Sequence, residues 1–260
     1  MRNVRFLIAY DGSEFFGWQR QDGFPTIQEE LEDALFGVVG ERTTVHGSGR
    51  TDTGVHALGQ VANAHVDTRI GDEKLCYALN AHLPKGIVVR SVETCRDDFH
   101  AQYAARGKRY VYRVRTSRVR SAFGDLHEHR VPVALSLEHM RRAAGHLVGE
   151  HDFTSLANAG SPRKSNVRTL RSVHLVARRT GFFVAVEGNG FLYNMVRTIA
   201  GTLIEVGKGR LAADSLPEIL KAKDRTLAGP TAPAAGLYLL SVLYPEQAFR
   251  RRFDEPGRRD

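Results

Sequence analysis

The sequence predicts an α+β protein made of two similar halves, each an antiparallel sheet with helices on one face. Three observations predict it. Short stretches alternate apolar and polar residues, as half-buried strands do. Between them lie segments whose apolar residues recur at helical spacing. The order strand, helix, strand, strand, helix, strand then occurs twice along the chain without any repeat of sequence. That is the split βαβ, or ferredoxin-like, order. Two such sheets in one chain suggest pairing of the halves, with a cleft between them.

The elements follow in order. "VRFLIAYDG" places Val4, Phe6, Ile8 and Tyr10 on one face and reads as the first strand. "TIQEELEDALFGVVG" opens with Thr26 and has Glu29 three residues on, the spacing of a capping box. Ile27, Leu31, Ala34, Leu35 and Val38 then form its apolar stripe. "TTVHG" and "GQVANAHVDT" are short strands, "DEKLCYALNAHLP" a helix ended by Pro84, and "IVVRSVETC" a strand. In the second half "KRYVYRVRT" is a strand and "SLEHMRRAAGHLV" a helix. "LRSVHLVARR" and "GFFVAVEG" form a hairpin. "FLYNMVRTIAGTLIEVG" and "DSLPEILKA" are helices, and "GLYLLSVLYP" is the closing strand. The expected division is 1–105, 106–245 and a loose basic tail, 246–260.

Composition narrows the function classes. The 260 residues are 42% hydrophobic and 25% charged, which suits a globular domain or two rather than a disordered chain. No apolar run approaches the roughly 18 residues of a membrane span, and Asp11 and Glu14 come too early for a signal peptide. Cys76 and Cys95 belong to no CxxC, so buried thiols in a reducing cytoplasm are expected. The eleven histidines show no metal-ligand spacing, and no metal is expected. The net charge is +8 and its excess is clustered. No acid occurs from 99 to 124, where Arg106, Lys108, Arg109, Arg113, Arg115, Arg118 and Arg120 fall. None occurs from 153 to 186, which carries Arg163, Lys164, Arg168, Arg171, Arg178 and Arg179. Paired acid-free tracts are the footprint of a polyphosphate partner, here a nucleic acid.

One stretch carries the chemistry. "GSGRTDTGVHALGQ", 47–60, sets Arg50, Thr51, Asp52, Thr53 and His56 among Gly47, Gly49, Gly54 and Gly59. It reads either as a phosphate cradle or as a loop that brings Asp52 to a substrate. A phosphate loop leads into a helix N-terminus, whereas this stretch leads into the strand "QVANAHV". It also lacks the lysine of GxxxxGK[ST]. The "GNG" at 188–190 has no ribose-binding acid after it and reads as a turn. The phosphate-loop reading is thereby weakened, and the stretch is expected to form a loop projecting from a sheet edge. If Asp52 is the reagent, Arg50, two residues away, is placed to pair with it and keep it ionised. A hydrolase acting at a sugar generally has two carboxylates at the bond, and this neighbourhood offers Asp52 alone.

"GSGRTDTGVHALGQV" resembles the catalytic segment of tRNA pseudouridine synthases of the A type. "LIAYDGSEFFGWQRQ", "FHAQYAARGKRYVYRV", "GNGFLYNMVRTIAGTLIEVGKGR" and "TAPAAGLYLLSV" extend the resemblance over almost the whole chain. Ser48 and Thr53 stand where the family usually has Ala. The resemblance implies two ferredoxin-like halves around a deep basic cleft, usually in a homodimer. It implies isomerisation of uridine to pseudouridine at positions 38, 39 and 40 of the tRNA anticodon stem-loop, without cofactor or metal. It makes Asp52 the catalytic carboxylate and Arg50 its ion-pair partner. It makes Tyr110 the residue that stacks on the flipped uracil and assists proton transfer. Arg197 and Leu237 match pocket positions; apart from the resemblance, Arg168 is read as a phosphate contact and His56 as structural or RNA-facing. The rival of another class is a catalytically silent RNA-binding protein, although no RNP1-like run is present.

Overall fold

The structure, a computed structural model, describes residues 1–158 and 165–245. Arg163, Lys164 and the expected tail at 246–260 lie outside the described residues. The chain forms two compact units, one of Met1–Arg106 with the segment from Leu239 onward, the other of Gly107–Tyr238.

The first unit contains β1 (Arg2–Tyr10), α1 (Ile27–Val39), β2 (His46–Gly47), β3 (His56–Val66), α2 (Asp72–His82) and β4 (Ile87–Thr94). The second contains β5 (Gly107–Thr116), β6 (His129–Val131), α3 (Leu137–Gly145), β7 (Gly149–Asp152), β8 (Val167–Arg178), β9 (Gly181–Gly188), α4 (Met195–Gly207) and α5 (Leu216–Ala222). The last strand, β10 (Leu237–Leu243), starts in the second unit and continues in the first. The class is mixed α and β with mostly antiparallel pairing. Among the described pairings, β6 with β5 is the parallel one.

In the first unit β1 lies between β4 and β3, and β2 pairs with β3. Val4, Phe6, Ile8 and Tyr10 are buried as their alternation predicts. Thr26 caps α1 by accepting from the Glu29 N–H, and Gly40 ends the helix at φ 81°. Gln28 and Glu32 of α1 are buried as well, against its amphipathic pattern. They meet an incoming strand: Val45 N–H donates to Glu32 Oε1 at 3.0 Å, and Gln28 Nε2 donates to the Val45 carbonyl at 3.2 Å. α2 stops at Leu83, before Pro84, because the residue ahead of a proline is pushed out of the helical region.

β3 is buried along nearly its whole length rather than on alternate residues. Its second face is covered by a cluster of Val61, Cys95, Phe99 and Ala101, with Leu7, Val242 and Tyr244 packed against it. The closing strand, which the sequence places wholly in the C-terminal half, is therefore shared. From Leu239 it serves the first unit: β10 runs beside β3, the Arg106 N–H donates to the Leu243 carbonyl at 2.7 Å, and Tyr244 Oη donates to the Ala101 carbonyl at 2.6 Å. β3 thus lies between strands, and the loop before it does not spring from a sheet edge as its sequence suggests.

In the second unit the strands follow the order β5, β9, β8, β7. Tyr110, Tyr112 and Val114 of β5 are buried on the face shared with Val186, Val184 and Phe182 of β9. Met140, Leu147, Ile199 and Leu203 complete the core. β6 ("HRV") and β7 ("GEHD") escape the sequence reading, being too short and polar to alternate. α4 begins at Met195, four residues later than expected, because Asn194 adopts a left-handed conformation at φ 59°. No helix of the described residues is long and apolar enough to cross a membrane.

Candidate active site

The Asp52 loop runs from β2 to β3 and is held from beneath by the segment that follows β1. Tyr10, the last residue of β1, is buried, and its hydroxyl lies 2.8 Å from Thr51 Oγ1. Burial drives the Tyr10 phenol well above its ordinary pKa, against the smaller opposing effects of its hydrogen bonds to Thr51 and Gln60. It therefore stays protonated. Gln60 of β3 donates to the Gly49 carbonyl at 3.0 Å and accepts from Ser48 Oγ at 2.6 Å. Ser48 N–H donates to the Val61 carbonyl at 2.7 Å. Both flanks of the loop are thereby tied to β3.

Two glycines bring the underlying segment against the loop backbone. Gly17 has φ +88°, and a Cβ there would stand 2.6 Å from the Thr51 carbonyl oxygen and 3.1 Å from the Asp52 carbonyl carbon. At Gly12 a Cβ would stand 2.1 Å from the Val55 carbonyl oxygen. Trp18 N–H donates to the Thr51 carbonyl at 3.0 Å, and the Trp18 indole fills the space over Gly47. Val55 N–H donates back to the Asp52 carbonyl at 3.1 Å with Gly54 at φ +75°. A positive φ at the third residue of a four-residue turn is the type II arrangement, which calls for glycine. Asp52 is thus the first residue of a tight turn, half-buried and fixed through its backbone. This is the preorganisation that a reacting carboxylate requires.

Arg50 is exposed and stands two residues before the half-buried Asp52. His56 is buried, with Nδ1 accepting from the Gly12 N–H at 3.1 Å, a structural role.

The other expected residues lie in the second unit. Tyr110 on β5 is buried and packs edge-on against Phe191, with ring centroids 5.0 Å apart. Arg197, in the first turn of α4, donates from Nε to the Ala232 carbonyl and from Nη1 to Asn194 Oδ1, both at 2.8 Å. Asn194 thus holds an arginine rather than capping its helix. Leu237 is buried at the start of β10. The segment before it is anchored by Tyr112, whose hydroxyl donates to the Pro233 carbonyl at 2.8 Å and whose ring abuts Gly236. The structure therefore brings the Arg197 and Leu237 segments together over Tyr112. Arg168 donates to the Ser165 and Val167 carbonyls beside it.

The basic tracts change most between sequence and structure. Acids distant in sequence neutralise much of them: Arg109 meets Glu187 at 2.6 Å, Arg113 meets Glu128 at 3.0 Å, and Arg115 meets Asp125 at 2.5 Å. Arg171 meets Glu187 at 3.4 Å and Arg178 meets Glu128 at 2.9 Å. An acid-free stretch of sequence is not an acid-free surface.

The supporting residues Tyr10, Gly12, Gly17, Trp18 and Gln60 were invisible as a site in the sequence, since they are long-range partners. The one available signal was the pair of glycines in "DGSEFFGW". Replacing Tyr10 by Phe removes a buried hydroxyl and leaves Thr51 and Gln60 short of a partner. The expected cost is about 1–2 kcal/mol of stability, with kcat lowered several-fold and KM nearly unchanged. Urea unfolding and steady-state kinetics on tRNA measure both.

Known proteins match this chain along its length. A family model described as tRNA pseudouridine synthase matches residues 7–104 and 143–245. The tRNA pseudouridine synthase A of Acetivibrio thermocellus is 45% identical over 244 residues, covering 94% of this chain and 100% of that protein. That of a Thermoanaerobacter species is 44% identical over the same shares. The tRNA pseudouridine synthase A 2 of Bacillus anthracis is 43% identical over 93% of this chain and 99% of its own. With a family model matching most of its residues and relatives of this similarity over nearly its full length, the chain belongs to the tRNA pseudouridine synthase family.

Proposed function

We propose that this protein isomerises uridine to pseudouridine in the anticodon stem-loop of tRNA, at positions 38, 39 and 40, with Asp52 as the catalytic carboxylate. The observation that carries the reading is the Asp52 turn, clamped by Gly17 and Trp18 in a chain of this family. In the reaction the N1–C1′ bond of the target uridine breaks and a C5–C1′ bond forms. C5 then loses its hydrogen as a proton, and N1 takes one up. Atoms balance, so no cofactor or metal is called for.

The remaining residues take roles that suit their places. Arg50, exposed two residues from Asp52, pairs with the carboxylate to keep it ionised and is also placed to hold a phosphate of the target nucleotide. Tyr110 stacks on the extruded uracil, a contact worth about 1–3 kcal/mol, and assists loss of the C5 proton. Arg197 and Leu237 complete the pocket, and Arg168 contacts phosphate. Flipping the base costs a few kcal/mol, which phosphate contacts offset. We read the units as ferredoxin-like halves, the first on its order β1-α1-β2-β3-α2-β4 with β1 between β4 and β3. The basic cleft, a homodimer and a cytoplasmic site of action belong to the same reading.

The test is tRNA carrying tritium at uracil C5. The protein is expected to release the label while leaving the RNA mass unchanged. Loss of uracil mass would indicate a hydrolase, and retained label a silent RNA binder. Affinity should also fall with salt, by about 0.7–0.9 in the log–log slope for each phosphate held. A grip on roughly four phosphates gives a slope near −3; a flat response in a binding titration would count against the polyphosphate reading.

A further inference from the structure

Among the cations of β5, one differs from the rest. Arg109, Arg113 and Arg115 point to one side of the strand, and each has an acid. Lys108 lies on the other face with Tyr110 and Tyr112, the face that builds the core of the second unit. It is partly buried, and no acid among the described residues meets it within ion-pair distance. Burial without a compensating charge lowers its amine to about 8. A desolvated, unpaired ammonium opposes folding, and proteins generally pair such a group or leave it in water.

The strand register places Lys108 beside the Tyr110 face. Lys108 stands opposite Gly188 on β9, so its cross-strand neighbour has no side chain. Phe191 leans over that glycine, where a Cβ would stand 3.2 Å from its ring, and the same Phe191 packs edge-on against Tyr110. Residues two apart on a strand share a face at a spacing of about 6–7 Å. A base stacked on Tyr110 would carry its backbone phosphate within reach of a lysine side chain at that distance.

We propose that Lys108 is a substrate-binding residue whose ammonium is neutralised by a phosphate of the RNA strand that presents its base to Tyr110. The inference rests on the tRNA reading above. It explains why a cation is kept on a core-lining face: its counter-charge arrives with the substrate. Lysine, a compact charge on a flexible stem, suits a single phosphate oxygen.

The experiment uses the full chain and unmodified tRNA, with Lys108→Met and Lys108→Arg. For K108M, affinity at low salt is expected to fall about tenfold. The log–log salt slope should become shallower by about 0.7–0.9, the signature of one phosphate contact. K108R should restore the wild-type slope and most of the affinity. The unfolding temperature of free K108M should equal or exceed that of wild type, since an unpaired buried charge has been removed. An unchanged slope in a folded K108M overturns the proposal. So does an unfolding temperature lowered in both variants with affinity lost in both, which would make Lys108 a structural residue. If K108M aggregates, Lys108→Gln gives the same readings. Wild type that binds no tRNA would overturn the tRNA reading itself, a failure visible before any variant is made.

Discussion

Asp52→Asn and Asp52→Ala are expected to release no measurable tritium from uracil C5 in tRNA, a loss on the order of 10⁴-fold or more in rate, while tRNA binding persists. The asparagine variant is the sharper of the two. It keeps the size of the side chain and the backbone bond from Val55 N–H to the residue 52 carbonyl, so the turn survives. It removes only the ionised oxygen. Stability should therefore shift by no more than roughly 1 kcal/mol, about 2–4 °C in unfolding temperature for a chain of this length. Release near the wild-type rate in the asparagine variant would refute the role of Asp52. A parallel collapse of binding and stability would instead make Asp52 a structural residue.

Gly17→Ala should slow the reaction about a hundredfold, the usual consequence of displacing a reacting group by around 1 Å, with little change in tRNA affinity. The new Cβ meets the Thr51 carbonyl at 2.6 Å, and the backbone at φ +88° already disfavours any side chain. Gly17 cannot retreat easily, because its carbonyl accepts from Ile27 N–H at 3.1 Å and that of Trp18 accepts from Gln28 N–H at 3.0 Å, both at the start of α1. The Asp52 loop must yield instead. Gly23→Ala is the control. Gly23 has φ +79° but nothing within 4 Å, so it carries the conformational strain without the contact. It should lose about 1–2 kcal/mol of stability and keep its kcat. Equal kinetic losses in both variants would show that strain, and not pressure on the Asp52 loop, is responsible.

Much of the fold was legible where local rules suffice. The Thr26 cap, the Gly40 stop, the Pro84 stop and the alternation in β1 each depend on neighbours a few residues away. Reading failed where the partner is remote. Gln28 and Glu32 look like the polar face of α1 until Val45 is placed against them. β3 looks half-buried until Phe99 and Tyr244 cover its second face. β10 looks like the end of one half until Leu240 is seen against Gly59.

The same division applies to the site. Asp52 stands out as a candidate in the sequence because its motif is dense and specific, and because a strand rather than a helix follows it. By itself the sequence determined the alternation of strands and helices and the family, and it singled out Asp52 as the candidate carboxylate, since these lie in residue type and short spacing. Only the tertiary structure decided what holds Asp52 still and which basic side chains are neutralised by acids. Tyr10, Gly17 and Trp18 reach the loop from more than thirty residues away in the chain. Glu128 and Glu187 neutralise arginines that look unopposed in sequence and leave Lys108 as the cation of β5 without an acid among the described residues. Charge and steric contact act through space, over distances that sequence separation does not measure.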